Sequence, residues 1–279
     1  MTVLLYVLNV LFSAGSSTVT KQFARKDGDS VIFNINKSAV GAILFLIVGL
    51  IGGFTVHLPT VLFGAGYGLF LCCSMYTGFK ALATGPMALT SMIASFSLII
   101  PFFFGVCFWN EEISVFKIVG IALLLLSVGL INAKREEGFS LRWLGLALLT
   151  LLFNGVYSVL QKLHQIHFPT LYRTEFMFWA FALIFAILTV TKFSSKKQRE
   201  ISFRFSLLGM TAGILDGLTN YIVLYLSATE NASVVFPVVS VAKIMAVWII
   251  GVTVFKERLR PLQVAGLLLG VASIVFLMQ

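Results

Sequence analysis

Two ionisable residues stand in the middle of long apolar stretches: Asp216 in LLGMTAGILDGLTNYIVLYL and Lys243 in VVFPVVSVAKIMAVWIIGV. A charge placed so deep in an apolar phase costs several kcal/mol to insert unless it is paired or hydrated. Asp216 and Lys243 are therefore expected to face each other or a hydrated cavity. Such a pair can lock two segments together, or it can recognise opposite charges on a ligand, with Asp216 as the candidate carrier of a coupling proton. Polar groups recur around them at helical spacing. Asn154, Tyr157, Ser158 and Gln161 fall at i, i+3, i+4 and i+7 and so share one helix face. Similar stripes carry Asn9, Ser13, Ser16, Ser17 and Thr20, then Tyr67, Ser74 and Thr77, then Thr90, Ser91 and Ser95. Asn220 lies one turn beyond Asp216, and Ser233 and Ser240 precede Lys243. This is the chemistry of recognition, made of hydrogen bonds and charge, not of bond breaking. Lone serines are read mainly as glue between packed helices. Asn154, Tyr157, Gln161 and Asn220 are read as ligand-facing. The candidate binding set is Asn9, Ser13, Tyr67, Ser74, Ser95, Asn154, Tyr157, Gln161, Asp216, Asn220, Ser240 and Lys243.

Other patterns carry less. His164 and His167 are three apart, as metal ligands on a helix are, but no third Cys, His or carboxylate follows at ligand spacing. They read as a loop-end pair at the membrane interface. Gly15-Ser16 lacks a His or Asp partner for a hydrolase. No Gly-Lys-Ser/Thr phosphate loop occurs, so active movement of a solute must be secondary. Cys72, Cys73 and Cys107 lie in apolar segments and read as small hydrophobes. Lys21, Lys80, Lys162 and Glu230 sit near helix ends, where long side chains snorkel. Lys37, with Asn34 and Asn36, opens the second segment and reads as bordering a cavity entrance. No cofactor, metal or enzymatic activity is expected.

The elements that must hold these residues follow from composition. Of 279 residues, 59% are hydrophobic and 11% charged, whereas soluble domains sit nearer 45–50% and about 25%. The solvent is a bilayer. Apolar runs of about 20 residues, the length that spans it, lie near 2–23, 31–54, 60–83, 87–109, 114–132, 142–164, 170–191, 204–228, 232–255 and 261–279. The net charge of +9 is scattered singly at helix ends and does not point to nucleic acid. Fourteen Lys and Arg fall on the odd loops and three on the even loops and termini. That bias places the odd loops in the cytoplasm and both termini outside. The first apolar run, without a basic lead or a small-residue cleavage site, reads as a retained span.

The chain repeats itself. SVFKIVGIALLLLSVGLI at 114–131 aligns with RPLQVAGLLLGVASIVFL at 260–277, matching Gly120 to Gly266 and Glu111 to Glu257. LFSAGSSTVTK at 11–21 aligns with LFNGVYSVLQK at 152–162. Two five-span halves, 1–137 and 138–279, must be inverted relative to each other because five is odd. Inverted repeats characterise transporters.

With its two five-span repeats, each ending in an acidic turn and a Gly-containing last helix, the chain resembles the EamA-like branch of the drug/metabolite transporter superfamily. The segment FPVVSVAKIMAVWIIGVTVFKERLRPLQVAGLLLG carries the most specific part of that likeness. The resemblance implies an all-α polytopic membrane protein: ten transmembrane helices around a central cavity lined by helices 1, 3, 4, 6, 8 and 9 and worked by alternating access. The expected function is secondary transport of a small polar metabolite, and charges of both signs lean toward a zwitterion such as an amino acid. Efflux of lipophilic drugs and flipping of a lipid carrier are the alternatives on the same fold; a non-transporting scaffold would not need six polar helices. The expected partners are a small-molecule substrate, the lipid bilayer and a coupling proton, with no nucleic acid and no required oligomer. The expected location is the bacterial plasma membrane.

Overall fold

The computed structural model describes residues 2–24, 30–84, 90, 93–94, 96–131, 140–193, 203–253 and 261–277. Among them the secondary structure is helical throughout, because a chain in lipid must satisfy every backbone group within its own segment. The helices are α1 (Thr2–Ala24), α2 (Ser30–Gly52), α3 (Leu58–Thr84), α4 (Ile99–Phe108), α5 (Val115–Ile131), α6 (Leu141–His167), α7 (Arg173–Phe193), α8 (Phe203–Thr229), α9 (Ala232–Thr253) and α10 (Pro261–Leu277). Six of them (α1, α2, α3, α6, α7 and α8) are long and apolar enough to cross a membrane, and the other four contain shorter apolar runs. The fourth apolar run departs from a simple helix: a 3₁₀ turn at Phe96–Leu98 precedes α4. Pro101 then falls in the first turn of α4, where its missing N–H breaks no helical bond. The basic loop residues that set the expected orientation, apart from Arg142 and Lys192, lie outside the residues whose side chains are described, as does Ser95.

The chain forms two compact units, each drawing on both halves of the sequence. The first comprises Met1–Cys72 and Leu160–Ala228. In it α2 packs along α7, and small residues let backbones touch. A Cβ added at Gly64 or Gly68 of α3 would lie 2.7 Å from the carbonyl oxygen of Phe176 or Ala180 on α7. Phe45 stacks between Phe181 and Tyr221, and Phe23 stacks on Phe33 beside the buried Ala212.

The second unit comprises Cys73–Val159 and Thr229–Gln279. Here α5 packs on α10, and α9 on α4. Ser127 donates to the carbonyl of Gly266 at 2.6 Å, while a Cβ on Gly120 would collide with Leu277. The glycines aligned by the repeat thus both belong to the α5–α10 contact. Trp143, packed with Ala81 and Ala147, donates its indole N–H to Thr90 at 2.8 Å.

Glu111 fixes the start of α9. Its carboxylate accepts the backbone N–H groups of Ala232 at 2.6 Å and Ser233 at 2.8 Å. The first N–H groups of a helix have no partner within it and carry the positive end of its dipole. Asn110, in the left-handed region at φ 52°, turns the chain so that Glu111 reaches them. Replacing Glu111 by Ala is expected to lower stability by about 1–2 kcal/mol. Glu111→Gln should lose less, because an acceptor remains. Thermal unfolding of the detergent-purified protein, read by tryptophan fluorescence, measures both.

Candidate functional site

In the first unit, α8 carries Gly209, Gly213 and Gly217 on one face, turned to α2. A Cβ on Gly213 would stand 2.5 Å from the carbonyl oxygen of Lys37, and one on Gly209 would stand 2.9 Å from the Asn36 Cβ. That close approach puts Lys37 opposite Asp216. The Lys37 ammonium meets the Asp216 carboxylate at 2.9 Å, with 22% and 23% of the two side chains exposed. Sequence reasoning looked to Lys243 for this role. Lys243 lies on α9 in the second unit with its side chain exposed, and the partner of Asp216 is Lys37. The glycine spacing held the signal, but it named no neighbour.

One turn along α8, Asn220 gathers three helices. Its Nδ2 donates to the Asp216 carbonyl at 2.9 Å, its Oδ1 accepts the Tyr67 hydroxyl at 3.0 Å, and its carbonyl accepts Gln161 Nε2 at 3.3 Å. These bonds fix which way the Asn220 amide faces. Asn9 of α1 donates to the Thr219 carbonyl at 2.8 Å. Tyr67 and Gln161 are each 2% exposed and Asn9 is fully buried. The Asn9 Oδ1 and Ser13 Oγ atoms, also buried, have no hydrogen-bond partner among the described residues. Residues from α1, α2, α3 and α6 thus converge on residues 216–220 of α8. Of the candidate set, Asn9, Tyr67, Gln161, Asp216 and Asn220 belong to this network, and Ser13 lies one turn from Asn9.

The second unit holds the rest. Ser74 donates to Asn154 Oδ1, and Ser158 donates to the Asn154 carbonyl at 2.9 Å. Thr150 donates to Thr77 at 3.0 Å. Tyr157 and Ser240 are partly exposed. These bonds are the helix-to-helix glue expected of small polar groups in packed spans.

A third polar group was not foreseen. His164, read from sequence as an interface residue, is fully buried. It belongs to a chain that joins His57, Thr60, His164, Gln165 and Arg173. His167, on the other hand, is exposed and bonds to the Leu163 carbonyl at 2.9 Å. Lys162, read as snorkelling, is 8% exposed. No spacing in the sequence links His57 to His164, so only the fold reveals the chain. No group of three or more potential metal ligands occurs among the described residues.

Long apolar helices with an ion pair and amide networks inside them define a polytopic membrane protein. The sequence model of the EamA-like transporter family matches residues 1–133 and again residues 141–279. The chain belongs to the EamA-like transporter family, a multi-pass membrane family of transporters and not of enzymes. A solved crystal structure with 15% sequence identity superposes with a TM-score of 0.81, covering 99% of this chain and 95% of that one. At that identity the likeness is one of fold. No curated protein sequence matches the chain significantly.

The ion pair makes a thermodynamic prediction. Lys37→Met or Asp216→Asn alone strands the other charge within the helices, and each is expected to cost up to about 3 kcal/mol. The double variant should recover more than half of that loss. Unfolding midpoints of the four proteins close the cycle. Tyr67→Phe, which removes the hydroxyl donor to Asn220, should cost about 1 kcal/mol in the same measurement.

Proposed function

We propose that the chain is a secondary transporter of a small zwitterionic metabolite of amino-acid type, working by alternating access in the bacterial plasma membrane. In this reading all ten helices cross the membrane as two inverted repeats, residues 1–137 and 138–279. The observation that carries the proposal is the Lys37–Asp216 pair. Opposite charges lie within membrane-crossing helices of a transporter-family chain, and a fifth of each side chain remains accessible. A zwitterion can exchange for this pair charge by charge, its ammonium group meeting Asp216 and its carboxylate meeting Lys37. The pair offers the same compensation when the ligand leaves, so neither charge is stranded at either stage. Asn220, partly exposed beside Asp216 and oriented by the buried Tyr67, supplies a neutral donor and acceptor for the rest of the ligand. Asp216 is also the group that could carry a coupling proton.

Proteoliposomes loaded with unlabelled amino acids and given labelled ones outside test the reading by counterflow. Exchange of at least one zwitterion is expected, with a loss of about tenfold or more in Asp216→Asn and Lys37→Met, in line with the few kcal/mol at stake in an unpaired charge. Undiminished exchange in both variants would remove the pair from the site. Movement of labelled lipid with no exchange of any soluble solute would overturn the transporter reading in favour of a flippase.

A further inference from the structure

Arg173, the first residue of α7, is a buried cation with no anion beside it among the described residues. It is 8% exposed. Its Nε donates to Gln165 Oε1 at 2.8 Å, and its guanidinium lies 4.5 Å from the centre of the Tyr225 ring. Its Nη2 is buried and has no hydrogen-bond partner among the described residues. Among the described residues Arg173 forms no ion pair. The carboxylate two residues on, Glu175, accepts the backbone N–H of Thr55 at 3.3 Å.

The neighbours of Arg173 are neutral by hydrogen-bond logic. Because Gln165 accepts from Arg173 through Oε1, its Nε2 must donate to His164 Nδ1, 2.9 Å away. His164 Nδ1 is then an acceptor, so the ring is uncharged and carries its proton on Nε2. That proton is donated to Thr60 Oγ1 at 3.1 Å, and the Thr60 hydroxyl is left to donate to His57 Nδ1 at 3.1 Å. Every donor in the chain points away from Arg173. The network orients the guanidinium and brings it no negative charge. The loop before Arg173 holds two non-glycine residues in the left-handed region, Thr170 at φ 68° and Tyr172 at φ 54°. Tyr172 is stacked on His57 at 4.5 Å. Such strained backbone persists where its surroundings over-determine it and gathers at ligand sites.

We propose that Arg173 is the receptor for an oxyanion, a carboxylate or phosphate group, supplied from outside the chain. A guanidinium with one edge occupied and its terminal nitrogen unpaired suits the two oxygens of such a group. The first turn of α7 adds the positive end of a helix dipole behind it. The source is either a soluble solute or the phosphate of an anionic lipid. This site is separate from Lys37–Asp216 and does not depend on the transport reading.

The full-length protein is taken in neutral detergent, and its unfolding midpoint is measured in sodium phosphate, in succinate and in chloride at matched ionic strength. Nanodiscs of phosphatidylglycerol and of phosphatidylcholine form the lipid arm. A bound oxyanion at about a hundred times its Kd raises the midpoint by several degrees. The expected result is such a rise with phosphate or succinate, or with phosphatidylglycerol alone, and the arm that responds identifies the source. The rise should vanish in Arg173→Gln and fall by at least half in Arg173→Lys, which keeps the charge but not the fork. Should Arg173→Gln not fold, Arg173→Lys decides. The Lys37→Met, Asp216→Asn double variant should keep the rise while losing exchange, so failure of one site is not failure of the other. Equal rises in wild type and the Arg173 variants, or no rise in any arm, would overturn the proposal.

Discussion

Gly213 has no side chain, and the organisation of the first unit follows from that. Only a glycine lets the backbone of α8 come against the carbonyl of Lys37. Only that approach sets the Lys37 ammonium at 2.9 Å from Asp216. In a low-dielectric medium neither charge is tolerable alone, so the contact between the helices and the pairing of the charges are one constraint. Asn220 is anchored to the Asp216 carbonyl, and through it Tyr67 and Gln161 are set in place. A larger residue at Gly213 would displace α2 and draw Lys37 away from Asp216.

Three polar systems are distinguished by what they lack. The Ser74–Asn154 and Thr77–Thr150 bonds of the second unit pair one small neutral group with another. The Lys37–Asp216 pair is balanced in charge yet partly open, the condition under which a ligand can replace one partner by another. Among the described residues, the chain from His57 to Arg173 supplies a hydrogen bond to a cation but no charge to balance it. Helix spacing alone does not tell these three balances apart.

Much of this was legible in the sequence, for identifiable reasons. Each of the ten apolar segments holds a helix among the described residues, because lipid demands both an apolar exterior and a closed backbone ladder. The run expected at 142–164 is the helix Leu141–His167, and the run at 204–228 is Phe203–Thr229. Asn9, Tyr67, Gln161, Asp216 and Asn220 were visible because a polar group in an apolar helix is costly and therefore conspicuous. Partners were not visible. Lys37 lies near the start of α2, where a lysine reads as a boundary residue, and its bond spans the sequence from residue 37 to residue 216. Lys243 drew attention through its depth in an apolar run, but depth along one helix does not say which helix lies alongside. The buried state of His164 depends on Thr60 and Gln165, and no periodicity connects the three.

The α5–α10 contact has a meaning for ancestry. Gly120 meets Leu277, and Gly266 accepts the bond from Ser127, so the aligned glycines of the two repeats lie in a single seam. A helix packed against its own counterpart needs no second invention: a half-length chain with one such glycine and one such serine already owns both sides of the joint. Two copies of such a half would hold between them both the donor and the acceptor of the Ser127–Gly266 bond.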